Sequence, residues 1–404
     1  MSKRTRDPSS AEAARLLVLA PQPFLADRGT PIALRQVLEG LGELGVVSDV
    51  VTYPLGRDPD LPCVRVLRAA NPFGIRAVPV GFSLRKIVLD LSVAAKARRA
   101  LRNGRYIAIQ ASEEAAFLAV MLGRGRGLPI IYDMQSSLPE QLAEHRMFQF
   151  PPVRWLLERC ERWLTNRVDM IITSAGLGAY AAGLAPHTPV REWEFHAPND
   201  PVAPEEVDSL RAQLAIPAGA RVVLYTGTFV PYQGLATLLD AVPRVLEAVP
   251  DAIFVLVGAE KTLAELFPGV DVPAAAVRVV DRQPRQEMRR YYALADLVVS
   301  PRATGRNLPL KVFDYLGAGK AIVATDVHAH RAVLNDDLAL LVRPTSDALA
   351  YGIRLLLEDE GLRRRYAEAA AAFARERLGW KPFVRTLGAN YAAILGRETL
   401  DVSP

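Results

Sequence analysis

Short runs of apolar, often β-branched residues alternate with helix-like stretches along the whole chain, and no other feature restricts the fold as strongly. Five such runs lie in the first half, RLLVLA (15–20), VSDVVTY (47–53), YIAIQ (106–110), PIIYD (129–133) and MIITS (170–174). Six lie in the second half, RVVLYT (221–226), IFVLVG (253–258), VRVVD (277–281), DLVVS (296–300), AIVAT (321–325) and ALLV (339–342). Continuous apolar strands separated by helices are typical of parallel sheets covered on both faces. The pattern therefore predicts an α/β fold built on doubly wound parallel sheets.

The two sets of strands are separated by EWEFHAPNDPVAPEE, whose proline and polar residues are typical of an interdomain linker. We therefore predict two Rossmann-like domains that face each other, at 15–198 and 202–379, preceded by a disordered tail at 1–14. A chain of 404 residues with 50% hydrophobic content is long enough for both cores. Because ligands of such domains bind outside the carboxyl ends of the strands, we expect the site in the cleft between them.

Composition excludes several classes of protein. No run approaches the roughly 18 consecutive apolar residues of a membrane span, and the polar N-terminal tail does not resemble a signal peptide. Two cysteines are too few for a disulfide framework and fit a reducing compartment. Nucleic-acid binding is poorly supported, because the net charge is only +5 and, apart from two tryptophans, aromatic residues do not alternate with the basic ones. We therefore expect a cytoplasmic protein.

One glycine motif is rejected on its context. GLGELG (40–45) satisfies the G-x-G-x-x-G fingerprint of dinucleotide-binding proteins, but it ends a predicted helix and precedes a strand. The fingerprint requires the glycines after a strand and before a helix. We therefore predict that these glycines end the helix, which removes the main support for a nicotinamide-dependent dehydrogenase.

Three other loops have the order of strand, glycine and helix that an anion site requires. They are the loop through Arg28, Gly29 and Thr30, the loop from Gly227 to Gly234, and SPRATGRN before the helix PLKVFDYLGA. Glycine lets backbone N–H groups approach a phosphate closely. The alternative is that these glycines only permit tight turns between strand and helix.

These loops resemble those of the retaining, metal-independent glycosyltransferases of family 4, which have the GT-B fold. The matching stretches are RGTPI, LYTGTFVPYQGL, LPLKVFDYLGAGKAIVAT and ARERLGWKPFVRTLGANYAAIL, and the resemblance runs from about residue 15 to 398. It implies GT-B architecture, with the terminal helix 380–398 packed back on the first domain. It also implies transfer of a sugar, with retention, from a nucleotide sugar to a glycan or lipid-linked acceptor.

The resemblance implies a donor site mainly in the second domain. It also implies that the reaction needs no cofactor and no metal. Fixed positive charge and backbone N–H groups would then neutralise the departing diphosphate. The donor-binding residues implied are Arg28, Gly29, Thr30, Gly227, Thr228, Tyr232, Gln233, Gly234, Asn307, Leu308, Pro309 and Asp314. The candidate catalytic residues are Asp133, Gln135, Arg306 and Lys311. The five histidines are scattered and suggest no metal site, although His328 and His330 are weak candidates for a ligand role.

The chain departs from the family pattern at several of these positions. Thr228 and Gln233 stand where the family has an arginine and a lysine that bind the donor phosphates. The family's two glutamates fall on Arg306 and Asp314, and Gln135 replaces a histidine. One hypothesis is that Arg306 and Lys311 now neutralise the diphosphate, in a front-face displacement where positioning matters more than a base. The alternatives are an inactive sugar-nucleotide-binding protein, or another GT-B enzyme such as a sugar-nucleotide epimerase.

The first domain should hold the acceptor, and two of its basic helices raise the question of a membrane. Residues 83–105 have Leu84, Ile87 and Leu91 on one stripe together with seven Lys and Arg residues. Residues 151–167 add two tryptophans and four arginines. Such helices fit peripheral contact with anionic lipids at the inner face of the membrane. The alternative is an ordinary helix that buries its apolar stripe against the sheet.

Overall fold

The computed structural model divides the chain into two compact units, Met1–Trp193 with Phe383–Pro404 and Glu194–Pro382. It describes residues 15–24, 29–58, 60–78, 83–142, 150–197, 200–267, 269–270, 272–396 and 400. The predicted tail at 1–14 and the candidate residue Arg28 therefore lie outside the described residues.

The first unit is a parallel sheet of seven strands in the order β3-β2-β1-β4-β5-β6-β7. Its strands are β1 (Arg15–Ala20), β2 (Val47–Thr52), β3 (Val64–Arg68), β4 (Ala108–Ser112), β5 (Ile130–Met134), β6 (Met170–Ser174) and β7 (Val190–Trp193). Its helices are α1 (Gly29–Glu43), α2 (Leu84–Asn103), α3 (Ala115–Gly123), α4 (Leu138–Leu142), α5 (Pro151–Thr165) and α6 (Gly178–Leu184). The prediction of a doubly wound parallel sheet is confirmed.

Two strands of this sheet were not predicted, and both are edge strands. In β3 the residues are half-buried or exposed, and in β7 only Trp193 is buried. An edge strand has a neighbour on one side only, so VRVLR and VREW need no continuous apolar run. Strand β4 begins and ends two residues later than the predicted strand YIAIQ (106–110).

The second unit is a parallel sheet of six strands in the order β10-β9-β8-β11-β12-β13. Its strands are β8 (Arg221–Thr226), β9 (Ala252–Ala259), β10 (Val277–Asp281), β11 (Leu297–Ser300), β12 (Ala321–Thr325) and β13 (Leu340–Val342). Its helices are α7 (Pro204–Gln213), α8 (Leu235–Ala248), α9 (Leu263–Leu266), α10 (Arg285–Leu294), α11 (Lys311–Gly317), α12 (His328–Arg331), α13 (Ser346–Glu358) and α14 (Glu360–Arg377). All six predicted strands are present within one or two residues of their predicted ends.

The last helix, α15 (Trp380–Leu395), packs within the first unit from Phe383 onward. Trp193 lies 6.2 Å from Phe383 and 6.4 Å from Tyr391 between ring centroids, and the Tyr391 hydroxyl donates to Gln110 Oε1. A Cβ added to Gly40 would lie 2.7 Å from Leu387, so this glycine lets the helix approach α1. As predicted, the GLGELG glycines lie at the end of α1, and Gly45, two residues beyond it, has φ 78°.

Strand order reverses once in each sheet, between β1 and β4 in the first unit and between β8 and β11 in the second. Loops leaving the carboxyl ends of such neighbouring strands diverge to opposite faces and open a crevice, the usual ligand site of these sheets. Within the described ranges, none of the helices has both the length and the apolar character that crossing a membrane requires.

Candidate functional site

The crevice of the second unit lies between the loops that follow β8 and β11. After β8 the chain passes Gly227, at φ 130°, forms a 3-10 turn at Pro231–Gln233 and reaches Gly234, at φ 73°. A Cβ on Gly234 would lie 1.8 Å from the carbonyl oxygen of Pro301, which is the first residue after β11. The two loops therefore contact each other at a point where only glycine fits.

Lys311 is the central charge of this crevice. It is the first residue of α11 and only 9% exposed, and its Nζ donates to Gln233 Oε1 at 3.1 Å. The ammonium also lies 4.1 Å from the centroid of the Tyr225 ring. Burial, and after it the positive charge of Arg302, lowers the pKa of Lys311 well below its usual value. Among the described residues no carboxylate forms an ion pair with it, so nothing described in the crevice offsets the burial that disfavours its ammonium form.

Arg302 is a second buried cation, which the sequence pattern did not reveal. Its Nε donates to Thr304 O at 2.7 Å, its Nη2 donates to Asn307 Oδ1 at 2.9 Å, and its guanidinium lies 5.2 Å from the Tyr232 ring centroid. The loop thus wraps around the side chain while the charge stays close enough to act on Lys311. From the sequence, Arg302 could have been recognised only by its position. It lies two residues beyond β11, a strand next to the point where the strand order reverses.

The remaining residues predicted after β11 are divided between the loop and α11. Arg306 and Asn307 are half-buried, whereas Leu308 and Pro309 are buried. Asp314 accepts a hydrogen bond from Arg285 Nη2 at 2.9 Å, and burial raises the pKa of its carboxyl while Arg285 opposes the rise. The carboxylate is therefore already paired within the protein.

The crevice of the first unit carries Asp133 at the end of β5. Its carboxylate accepts hydrogen bonds from Ser112 Oγ, at 3.1 Å, and from the Gln135 amide, and the residue is 2% exposed. Burial raises the pKa of Asp133 to about 6, although these hydrogen bonds oppose the rise. The predicted pair Asp133 and Gln135 is thus in direct contact. Of the two serines that follow, Ser137 accepts from the Glu140 N–H and caps α4.

Glu113 is a first-unit residue that periodicity could not reveal. It directly follows β4 and has φ 52°, a left-handed conformation that is uncommon for any residue except glycine. Both carboxylate oxygens lie 3.3 Å from Ser136 Oγ. Burial, followed by the charges of Glu114 and Asp133, raises its pKa well above the usual value. At this edge of the sheet a second carboxyl therefore favours its protonated form.

The other predicted donor residues are placed as follows. Gly29 and Thr30 are the first two residues of α1, the helix that follows the central strand β1. The carbonyl of Thr228 accepts from the Tyr225 hydroxyl at 3.0 Å, and Tyr232 is 36% exposed. The structure therefore brings Gly227, Gln233 and Lys311 together in the second unit, and Asp133 and Gln135 together in the first.

Comparison with known proteins shows which family this chain resembles in sequence. A sequence profile described as "Glycosyl transferase 4-like domain" matches residues 28–176, and one described as "Glycosyl transferases group 1" matches residues 220–359. The chain is 28% identical over 201 residues to the phosphatidyl-myo-inositol mannosyltransferase of Mycobacterium tuberculosis, which covers 47% of this chain and 53% of that protein. For the protein of the same name from Mycobacterium leprae the identity is 33% over 182 residues, covering 43% and 48%.

The solved structures agree over a larger share of the chain. Sucrose-phosphate synthase from Thermosynechococcus elongatus superposes with a TM-score of 0.73 at 20% identity, covering 94% of this chain and 99% of that one. HepE from Anabaena in complex with UDP and glucose superposes with a TM-score of 0.72 at 18% identity and the same coverage. By sequence, however, the chain spans about half the length of the curated relatives it matches. The two profiles and the fold agree, and the chain belongs to the family-4-type glycosyltransferases with the GT-B fold.

Proposed function

We propose that this protein transfers a sugar, with retention and without a metal, from a nucleotide-sugar donor to a glycan or lipid-linked acceptor. The observation that carries the proposal is Lys311, a buried lysine with no carboxylate partner described, placed where the strand order of the second sheet reverses; burial disfavours its ammonium form. Burying such a charge is unfavourable unless an anion meets it. The diphosphate of a donor has the charge and the size to do so.

The chemistry follows from where charge develops. In a front-face displacement, the acceptor oxygen forms a bond to the anomeric carbon while the bond from that carbon to the phosphate oxygen breaks. The departing phosphate takes the proton of the acceptor hydroxyl. Lys311 and Arg302 would stabilise the leaving diphosphate as its charge grows, which lowers the barrier more than equal binding of substrate and transition state would.

The first unit would hold the acceptor. Asp133 and Glu113 both have raised pKa values and lie at the carboxyl edge of the first sheet. A carboxyl group there can accept a hydrogen bond from an acceptor hydroxyl, or donate one when protonated, and so orient it. The name phosphatidyl-myo-inositol mannosyltransferase states a lipid acceptor for the mycobacterial relatives, and HepE was solved with UDP and glucose. Both support this substrate class.

A thermal-shift panel tests the donor first. UDP, GDP and their sugar conjugates would each be added with magnesium and with EDTA. We expect at least one nucleotide to raise the melting temperature in both conditions; if none does, the donor proposal is wrong. Release of free nucleotide from the stabilising donor, with and without lipid extracts or glycans, then separates a transferase from an inactive binding protein.

The two arginines of the loop after β11 provide a more specific prediction. Arg302→Ala removes a buried charge that acts on Lys311, whereas Arg306→Ala removes a half-buried one. Charge-assisted hydrogen bonds contribute about 1.5–3 kcal/mol, so we expect Arg302→Ala to raise the Kd for the nucleoside diphosphate about 10- to 100-fold. Arg306→Ala should raise it less, and exposed His328→Ala not at all. Isothermal titration calorimetry measures all three, and a larger effect of Arg306 would support the hypothesis that Arg306 and Lys311 neutralise the diphosphate.

Peripheral membrane contact is the second part of the proposal. In α2 the apolar stripe is exposed, with Leu84 74% and Leu91 68% accessible. The buried residues of α2 form a second stripe, Leu89, Val93, Ala97 and Leu101, which packs in the core as in an ordinary helix and leaves the predicted stripe exposed. On α5 the exposed Trp155 lies under the guanidinium of Arg159, at 5.6 Å, and Trp163 and Arg167 repeat the arrangement at 4.5 Å. Alternating tryptophan and arginine suits an anionic lipid surface.

Vesicle flotation tests this surface. We expect the protein to float with vesicles containing phosphatidylglycerol, less so as salt rises, and not with neutral phosphatidylcholine. Trp155→Ser with Arg159→Glu should reduce binding at least about tenfold, since each basic residue near such a surface contributes about 1 kcal/mol. Arg364→Glu, an exposed arginine on α14, changes the net charge as much as Arg159→Glu does and should have little effect. Equal flotation with neutral vesicles would contradict an electrostatic attachment.

A further inference from the structure

His330 is a buried histidine that the proposed chemistry does not use. It lies on α12, is fully buried, and contacts two strands of the second sheet. Its Nε2 is 2.8 Å from Ser300 Oγ, at the end of β11. Its Nδ1 is 2.6 Å from the carbonyl oxygen of Thr325, at the end of β12, and 3.2 Å from the Thr325 hydroxyl. The ring therefore bridges the carboxyl ends of β11 and β12, where the loop with Arg302 begins.

These contacts fix which nitrogen carries the proton. A carbonyl oxygen only accepts, so Nδ1 must be the donor to Thr325 O. Burial, opposed by this hydrogen bond, lowers the pKa of His330 to about 4, so the ring is neutral at physiological pH. In the neutral ring Nε2 is then an acceptor, and the Ser300 hydroxyl donates to it. The charged groups that act on the ring are Lys311, Arg302 and Asp326.

The same contacts lead to the loop that carries the cations. The Thr325 hydroxyl donates to the main-chain carbonyl of Arg302. Because the Nδ1–H faces the oxygens of Thr325, the hydroxyl proton is directed away from the ring and toward Arg302. Ser300, His330, Thr325 and the Arg302 carbonyl thus form one continuous chain of hydrogen bonds beneath the crevice.

We propose that His330 is a positioning residue, whose neutral ring holds Thr325 and, through it, the main chain at Arg302, so that Arg302 and Lys311 stay placed for the donor diphosphate. This rests on the proposed donor site for its functional consequence. A ring of fixed tautomer suits the position, because a protonated imidazole would add a third positive charge next to Arg302 and Lys311. A merely space-filling residue would need no hydrogen-bonding atoms here.

Two substitutions separate positioning from packing. His330→Leu keeps an apolar group of similar size but removes both hydrogen bonds, whereas the amide N–H of His330→Asn can still donate to the Thr325 carbonyl. Ala332→Ser, at an exposed position directly after the same short helix, is the matched control. Hydrogen–deuterium exchange without ligand reports on amides of residues 301–310. We expect faster exchange there in His330→Leu, near wild-type exchange in His330→Asn, and no change in the control.

Ligand binding supplies the second measurement. We expect His330→Leu to raise the Kd for the nucleoside diphosphate about tenfold, the size of effect typical of losing one or two buried hydrogen bonds, with partial rescue in His330→Asn. Equal exchange and equal Kd in both His330 variants and the wild type would overturn the inference. Nitrogen-15 NMR of the imidazole between pH 5 and 8 should show a single tautomer with the proton on Nδ1, and the other tautomer would also overturn it.

The outcomes distinguish the two proposals. If no nucleoside diphosphate binds the wild-type protein, the donor site is wrong, yet exchange and NMR still decide whether His330 holds the loop. If nucleotides bind but His330→Leu leaves amide exchange in residues 301–310 unchanged, the donor-site proposal is supported and the positioning role of His330 is wrong. Should His330→Leu fail to fold, Ser300→Ala breaks the same chain at its other end by removing one hydroxyl, and it is expected to speed loop exchange.

Discussion

Lys311→Met is expected to weaken nucleoside-diphosphate binding strongly while leaving the folded protein at least as stable as the wild type. Methionine fills the space of the lysine stem but carries no charge. Removing a buried group that pairs with a ligand charge costs about 2–5 kcal/mol of binding, so the Kd should rise at least about 30-fold. Folding should gain, because the unliganded protein no longer buries an ammonium without a carboxylate partner among the described residues.

The pH dependence of stability gives this prediction a signature. The pKa of Lys311 is lower in the folded protein than in the unfolded chain, since burial disfavours the charged form. The unfolded chain therefore binds more protons over the interval between the folded pKa and about 10.5, and the free energy of unfolding rises with pH across that interval. Lys311→Met should lose this rise. Urea unfolding at several pH values, compared between the two proteins, measures the difference.

A charge-matched control keeps the result interpretable. Lys381→Met removes one positive charge from an exposed position and should alter neither Kd nor the pH dependence of unfolding. If Lys311→Met bound nucleotides as tightly as the wild type, Lys311 would not meet the phosphates. If it unfolded more easily at neutral pH, the lysine would serve the fold rather than the ligand.

Gly234→Ala is expected to damage both the fold and the site. Alanine would have to adopt φ 73°, which costs about 1–2 kcal/mol, and its Cβ would lie 1.8 Å from the carbonyl oxygen of Pro301. The loops after β8 and β11 would have to separate. We expect the free energy of unfolding to fall by about 3 kcal/mol or more, within the range for strain at special backbone positions. Gln233, the neighbour of Gly234, would also move away from Lys311 and weaken diphosphate binding.

Gly219→Ala separates backbone conformation from the steric clash. Gly219 has φ 79°, almost the same as Gly234, but a Cβ there would meet no atom within 4 Å. Its substitution should cost only the roughly 1–2 kcal/mol of the left-handed conformation and leave nucleotide binding unchanged. Urea unfolding and calorimetric titration of both variants measure the two effects. Equal losses of stability in the two variants would mean that the close approach to Pro301 imposes no constraint.

The sequence predicted the central strands well because their burial forces continuous apolar runs. RVVLYT and AIVAT match the central strands β8 and β12 residue for residue, whereas VRVLR and VREW at the edges of the first sheet were missed. For α2 the sequence showed an apolar stripe but not its direction, because a second stripe, from Leu89 to Leu101, competes for the sheet. Which stripe is buried depends on tertiary contacts that periodicity does not contain.

Only part of the candidate site could be predicted, because some of its side chains are also placed by tertiary contacts. Gly234 was found from the order of strand, glycine and helix, and Gln233 and Lys311 from the family resemblance; the structure places Lys311 in contact with Gln233. Arg302 was missed, since nothing local distinguishes a buried arginine after a strand from an exposed one such as many loops carry. Its burial comes from a loop that folds around it and from the aromatic ring of Tyr232. Arg306 as a phosphate ligand stays a prediction.

The packing of α15 bears on how this protein can be dissected. Because Phe383 and Tyr391 contact Trp193, and Tyr391 donates to Gln110 beside the first crevice, the amino-terminal domain is built from two segments far apart in the chain. A fragment ending near residue 193 would lack the aromatic residues that cover Trp193. An isolated domain for ligand screening is therefore better made by joining residues 15–193 to 383–396 through a flexible connector than by truncation.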